Sequence, residues 1–534
     1  MANNIKNGFS AKLSALDQHP SYKWFVLANV MIGTFMAVLD TTIVNVALPK
    51  MMAAFGISVD KVEWVITGYL LIFAVILPSS GWVADHFGYK KTYFLGMFLF
   101  TLGSLLCSLS TNENMLIIFR VLQGSGAGFI MPVGMAIVTR EFPPEKRGMA
   151  LGFWGIASAA SVSLGPMLGG YLIDAFSWQT IFDINVPVGI VGLVATLIIQ
   201  REYKTEKTRD FDIIGFISMT LFLVFLLLAL ADGNAAWNTG GWTSNFILSC
   251  FAISFAAFVI FITAELTVKH PIVDLRLLMN RNFGLANLMM FIFGLGFFGI
   301  TFLVPLYLQN SLGYTALQAG LVFFPVGIIQ GLTSPIIGKL ADKMNPKILI
   351  FIGTIMTFIS TYLYKDLSIY TEYNDIMIPL IIRGFGLGFM FIPLNTMAIN
   401  SVPKAKMAQA TGLFNTIRQI GGSFGVAILG SWLTRRVIFH TALFGEAANQ
   451  NSPIFKQTVT NINHFVQQST GSTGAEMLSR SKALIAQHIA NQAFVQGIAD
   501  DFFAAAFITL LIIIPLMFLS YKKSNYGEKV GILE

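Results

Sequence analysis

Two residues combine unusual chemistry with unusual surroundings. Asp40 lies in the stretch Leu39–Pro49, near the far end of an apolar run that begins at about Trp24. It precedes Pro49 by nine residues, which is about 13 Å along a helix. Arg120 lies six residues into a second apolar run that starts near Asn114, about 9 Å deep. An ionisable side chain at such depth in a bilayer is costly and marks an ion or proton path. A plainer role is compatible with that one: the acid pairs with a buried arginine and ties two helices together. Arg383 holds the place of Arg120 in a second half of the chain. Gly296, nine residues before Pro305, stands where a second acid would be. The sequence thus places the proton-carrying chemistry in the first half alone.

Other positions suggest movement and binding. Gly81–Lys91 reads as a loop: Gly81 and Gly88 permit a tight turn, Asp85 can cap a neighbouring helix, and Lys90 and Lys91 hold one side of the membrane. Ser161, Gly165 and Gly169 recur every four residues, a face for close helix packing, and Pro166 can bend that helix. Met36, Asp40, Phe297, Phe324, Gln330 and Asn395 are the expected lining of an apolar midplane cavity with few polar groups.

These residues need membrane helices to position them. Of 534 residues 55% are hydrophobic and 11% charged, where a soluble domain carries about 25% charged. Fourteen runs of about 20 apolar residues are each long enough to cross a bilayer: 24–48, 62–83, 92–110, 114–139, 148–172, 180–200, 212–231, 244–266, 283–308, 316–340, 347–364, 376–400, 408–434 and 502–520. With cytoplasmic termini, cytoplasmic segments hold 23 of the 34 lysines and arginines, among them Lys207 and Arg209. The positive-inside rule therefore puts both termini inside, and the net charge of +7 is topological rather than a sign of nucleic acid. Cys107 and Cys250 read as small core residues, with no disulfide or metal role. No cleavable signal peptide is expected.

The chain repeats itself. Gly81, Ala84-Asp85 and Lys90 match Gly338, Ala341-Asp342 and Lys347, and Arg120 with its three following glycines matches Arg383 with Gly384, Gly386 and Gly388. Two unrelated motifs at nearly one offset mean two homologous halves. The expected architecture is all-α: a six-helix bundle in 1–200, a two-helix insertion in 201–281, and a second bundle in 282–434 completed by a last span and cytoplasmic tail in 501–534. A long polar loop, 435–500, joins these last two parts. It carries His440, His464 and His488, too far apart in sequence for a local metal site.

On these motifs the chain resembles the major facilitator superfamily, specifically its fourteen-span drug:proton antiporters of the EmrB/QacA type, and most of all the EmrB branch. Leu39–Pro49 resembles that family's first-span motif, Gly81–Lys91 the loop between spans 2 and 3, and Arg120–Gly128 the fourth-span motif. Gly152, Gly165, Pro166, Gly169 and Gly170 resemble the fifth-span antiporter motif, with Ser161 in place of a glycine. Trp178–Gly189 and His270–Leu275 also resemble EmrB-type segments. The resemblance implies a proton-driven exporter of hydrophobic or amphipathic drugs in the bacterial inner membrane, working by alternating access and without a cofactor. It also implies a periplasmic membrane-fusion adaptor and an outer-membrane channel as partners, and makes Gly81–Lys91 and the fifth span conformational switches. The alternatives are an exporter of one endogenous lipid, siderophore or metabolite and, behind it, an importer. The absence of a G-x-x-x-x-G-K-[ST] phosphate loop argues against an ATP-driven pump. No converged nucleophile and base suggests an enzyme.

Overall fold

A chain this apolar must satisfy its backbone hydrogen bonds within each crossing segment, and helices do so. The computed structural model describes residues 21–520 except 58, 204–210, 234, 236, 270, 404–405, 448–452 and 472. Lys207, Arg209, His270 and both terminal tails lie outside the described residues. Among the described residues all regular structure is helical.

The first bundle comprises α1 (Tyr22–Phe55), α2 (Val59–Phe87), α3 (Tyr89–Ser108), α4 (Glu113–Glu141), α5 (Arg147–Ala175) and α6 (Asn185–Ile199). An inserted pair, α7 (Ile213–Asp232) and α8 (Asn245–Thr267), follows. The second bundle contains α9 (Arg281–Asn310), α10 (Ala316–Lys343), α11 (Pro346–Tyr362), α12 (Tyr373–Asn400) and α13 (Met407–Ala447). After α14 (Pro453–Thr470) comes α15 (Gly474–Leu510), continued by a short turn at Ile513–Met517. Local sequence sets the boundaries. Asn112 caps α4 through the Met115 amide at 2.9 Å, and Thr315 forms a capping box with Gln318 ahead of α10.

Among the described residues thirteen helices are long and apolar enough to cross a membrane. The expected span 408–434 falls in α13, which stays outside that group. Its length is ample at 41 residues, but Gln409, Asn415, Arg418 and Gln419 dilute its apolar run.

Matching contacts organise the halves. In the first, α2 and α3 pack on α4, and α1 packs on α5; in the second, α10 and α11 pack on α12, and α9 on α13. Between halves, α5 against α10 is the most extensive contact, and α2 meets α13. The inserted pair touches α2 and α13 through α7, so it braces that seam. Trp242, just before α8, donates to Ser431 of α13.

Two expectations change. Gly81–Lys91 is not an extended loop: α2 runs through Gly81 to Phe87 and α3 starts at Tyr89. Only Gly88 lies between them, at φ +105°. The apolar pattern carries the helix to its end, so a single residue in glycine's conformational territory makes the turn. The segment 435–500 is largely helical. α13 continues through its start, α15 begins well before the expected last span, and α14 lies against α15. Phe455, Val459, Ile462 and Val466 supply helical spacing in a segment whose polarity otherwise reads as loop.

Candidate functional site

Asp40 and Arg120 meet. Asp40 is fully buried and its Oδ2 accepts from Arg120 Nη1. Gln123, one turn beyond Arg120 on α4, completes the group. Its Nε2 donates to Asp40 Oδ1 at 2.8 Å and to Ser104 Oγ at 2.7 Å, while its Oε1 accepts from Arg120 Nη1 at 2.7 Å. Asn185 Nδ2 reaches Asp40 Oδ1 from α6 at 3.5 Å. Arg120 Nε donates to the Val65 carbonyl at 3.0 Å, and the Tyr69 ring lies 4.2 Å from its guanidinium carbon. Five elements therefore share one buried charge pair, with hydrogen bonds that offset its desolvation. Sequence reasoning missed Gln123, Ser104, Tyr69 and Asn185. Only Gln123 carried a signal, a polar residue three positions from Arg120 and so on the same helix face.

The glycines give the true register of the repeat. Gly124 backs onto Tyr69 and Ile72 of α2, and Gly384 backs onto Val326 and Ile329 of α10 in the same way. Gln123 immediately precedes Gly124, and Arg383 immediately precedes Gly384. Arg383 therefore occupies the place of Gln123, and buried Leu380 that of Arg120. This corrects the expected Arg120–Arg383 correspondence: the helix contact is fixed by the glycines, not by the nearest arginine. Gly296 does hold the place of Asp40. Ser161 donates to the Phe35 carbonyl at 2.9 Å, Gly421 abuts the Phe291 carbonyl, and Asp40 and Gly296 each come five residues after those phenylalanines.

α5 lies between this network and the second half. Ser161, Gly165 and Gly169 face α1, where methyl groups on the two glycines would strike Thr42 and Ile43. Gly148 and Gly152 face α10 against Gly338 and Ser334, while Pro166 meets Gly320 and Gly170 meets Leu317. At the end rich in lysine and arginine the contact is polar. Asp342 accepts from the Gly148 and Met149 amides at 2.8 and 3.1 Å, capping α5 across the halves, and Arg147 Nη1 donates to Asn400 Oδ1 at 2.8 Å. Asp85, the repeat partner of Asp342, accepts from the Tyr89 hydroxyl at 2.8 Å and faces Arg140 at 3.9 Å. Lys90 Nζ donates to the Leu197 carbonyl at 2.7 Å, a cation at the C-terminus of α6, and Lys91 is exposed.

A cavity of about 60 Å³ lies between the halves. Ser158 and Val162 of α5 face Phe297, Phe323, Gln330 and Arg383 across it. Of the expected lining, Phe297 and Gln330 are present. Met36, Asp40 and Asn395 are packed inside their own bundles, and Asn395 Nδ2 is turned to the Phe391 carbonyl at 2.8 Å. Phe323 lines the cavity where Phe324 was expected, because successive helical residues point about 100° apart.

Residues 30–426 match the model of the Major Facilitator Superfamily. The chain belongs to that superfamily. Among relatives, the multidrug export protein EmrB of Haemophilus influenzae is 34% identical, over 90% of this chain and 93% of its own. The uncharacterized MFS-type transporter YhcA of Bacillus subtilis is 33% identical over 94% of both. The human organic anion transporter MFSD10 superposes with a TM-score of 0.62 at 12% identity, covering 94% of this chain and all of that one, which shows the shared fold. This major facilitator is EmrB-like, a multi-pass membrane transporter rather than an enzyme.

Proposed function

We propose that this chain is a proton-coupled multidrug efflux antiporter of the bacterial inner membrane, with both termini in the cytoplasm. It exports hydrophobic or amphipathic compounds by alternating access. The observation that carries this reading is the position of α5. One face of it holds α1 beside Asp40, and the other lines the cavity between the halves. A change in the charge of Asp40 alters its hold on Arg120 and Gln123, hence the packing of α1 on α5, hence the wall of the cavity. The likeness to multidrug export proteins supports drugs as cargo. Gly148, Gly152, Pro166, Gly170 and Asp342 are then the parts that re-form in each cycle. The helices of 435–500 extend beyond the apolar spans and offer a docking place for a periplasmic adaptor leading to an outer-membrane channel.

The test is transport by purified protein in liposomes under an imposed pH gradient. Asp40→Asn keeps the side-chain volume and removes the titrating group. The expected result is a folded protein of reduced stability that still binds substrate but has lost uphill transport. Undiminished gradient-driven transport by Asp40→Asn overturns proton coupling through this residue.

A further inference from the structure

The two halves treat their buried charges differently. In the first, the guanidinium of Arg120 is neutralised by Asp40. In the second, Arg383 is 2% exposed and has no acid partner among the described residues. Its Nη2 donates to the Phe297 carbonyl at 3.0 Å and the Thr301 hydroxyl at 3.1 Å. Its Nη1 has no hydrogen-bond partner among the described residues. The residue lines the cavity between the halves. A second, half-buried cation lies beyond it. Phe297 stacks on Phe293 at 5.5 Å, Phe293 meets Phe391 at 5.7 Å, and Arg418 lies 5.7 Å from the Phe391 ring. Arg418 forms no ion pair among the described residues either, and its Nε is unpartnered. Among the described residues the second half thus holds two guanidinium groups without an ion pair, joined by three phenyl rings.

An unpaired buried charge is expensive, and the usual remedy is an opposite charge with matched hydrogen bonds. Gly296 supplies none where Asp40 does so in the first half. We propose that the missing anion comes from the cargo. The cavity at Arg383 binds the carboxylate or sulfonate of an amphipathic organic anion, whose apolar body lies against Phe297 and Phe323. The free Nη1 suits such a group, because both of its N–H bonds can donate to an oxyanion and a charge-assisted hydrogen bond is roughly twice as strong as a neutral one. The Thr301 hydroxyl fixes the orientation of the guanidinium from the other side. At about 60 Å³ the cavity holds the anionic head alone. The body enters as α5 and α10 part during alternation. This assignment rests on the export reading and names its preferred substrate class.

Binding by the full-length chain in detergent, with no gradient, tests it. The probes are 2-naphthoate, 2-naphthalenemethanol and 2-naphthylmethylamine, which share one aromatic body and differ in charge. They are compared by equilibrium dialysis at fixed ionic strength. The wild-type chain is expected to bind naphthoate roughly 10- to 100-fold more tightly than the alcohol, the range for a charge-assisted contact. Arg383→Gln removes the cation, and Thr301→Asp supplies an internal carboxylate next to Nη2; each is expected to bring the naphthoate-to-alcohol ratio close to one. Arg383→Lys keeps part of it. Elution as a single species checks folding, and either of the first two variants suffices if the other is misfolded. Equal binding of the three probes by wild type overturns the proposal, as does a preference that survives both substitutions. A chloride-dependent thermal shift with no response to naphthoate also overturns it. A chain that binds naphthoate selectively but moves nothing on a pH gradient overturns the export reading alone.

Discussion

Gln123 and Arg383 occupy equivalent positions in the two halves, each one residue ahead of a glycine that packs on the second helix of its bundle. One is a neutral amide locked between an acid and a base. The other is a base whose Nη1 has no partner among the described residues. One repeated scaffold therefore carries a closed ion pair on one side and an open cation on the other.

The closed side is a unit, and its members will not behave additively. Gln123→Leu leaves Asp40 and Arg120 each short of a hydrogen bond and is expected to cost about 1–3 kcal/mol. Arg120→Leu strands a buried carboxylate and is expected to cost about 3–5 kcal/mol. Adding Asp40→Asn to Arg120→Leu should recover part of that loss. Thermal unfolding in detergent measures the three variants. Strict additivity in the double mutant would mean that the residues do not act as a pair.

At Gly152 the seam between α5 and α10 has no room. Gly152 sits against the Ser334 carbonyl and Pro335, so Gly152→Leu forces the halves apart at that level. Transport in liposomes is expected to fall to background while the protein still elutes as a single species. Gly445→Leu, at a position with nothing within 4 Å, is the control. Wild-type transport by Gly152→Leu would show that this contact does not close during the cycle.

Gly88 holds φ +105°, and a methyl group there would meet the Glu202 carboxylate. The conformation alone costs a non-glycine residue about 1–3 kcal/mol. Gly88→Ala is therefore expected to lower the unfolding midpoint, and adding Glu202→Ala should relieve only the steric share. Full recovery in the double variant would assign the whole cost to the contact and none to the backbone.

Asp501 is fully buried at the start of the last apolar stretch, and neither carboxylate oxygen has a hydrogen-bond partner among the described residues. Its neighbour Asp500 takes both Arg436, at 2.6 Å, and His440, at 2.7 Å. Replacing an unpaired buried polar group by an apolar one of similar size is expected to stabilise the fold by about 1–3 kcal/mol. Asp501→Leu should raise the melting temperature. A lower one would show that the carboxylate has a partner in another state of the transporter.

Replacing α14 by a short Gly-Ser linker should leave transport by the isolated protein intact. It should also abolish adaptor crosslinking and drug resistance in cells with an outer membrane. Survival of both would place the docking surface elsewhere.

The fold was legible because a bilayer imposes its constraint locally. A run such as Ile213–Asp232 declares itself as a crossing whatever it packs against. Asp40 and Arg120 were legible for the same reason, as charges where charge is costly. Gln123 was only faintly so, because a neutral amide costs less in an apolar helix than a charge, and its place three residues from Arg120 is the one sign of its role. Of the six residues expected to line the cavity, two do so: Phe297 and Gln330. Which of Phe323 and Phe324 faces inward depends on helix rotation, and contacts such as Gly384 on Val326 set that rotation. The helices of 435–500 were hidden by their polarity, since α13 and α15 carry on past the apolar stretch without a break.

That continuity has a mechanical meaning. α13 is one rod from Gly412, which lies against Leu77 and Pro78 at the seam, to Ala447 beyond the apolar span. The stretch after Arg435 is about 18 Å long. Arg436 and His440 clamp it to Asp500 of α15, so the two rods swing as one. A tilt of a few degrees at the seam becomes a displacement of an ångström or more at the tip. Spin labels at Gly445 and Tyr370 would read the inward or outward posture of the transporter as a distance. A partner gripping that tip would feel each turnover as a push.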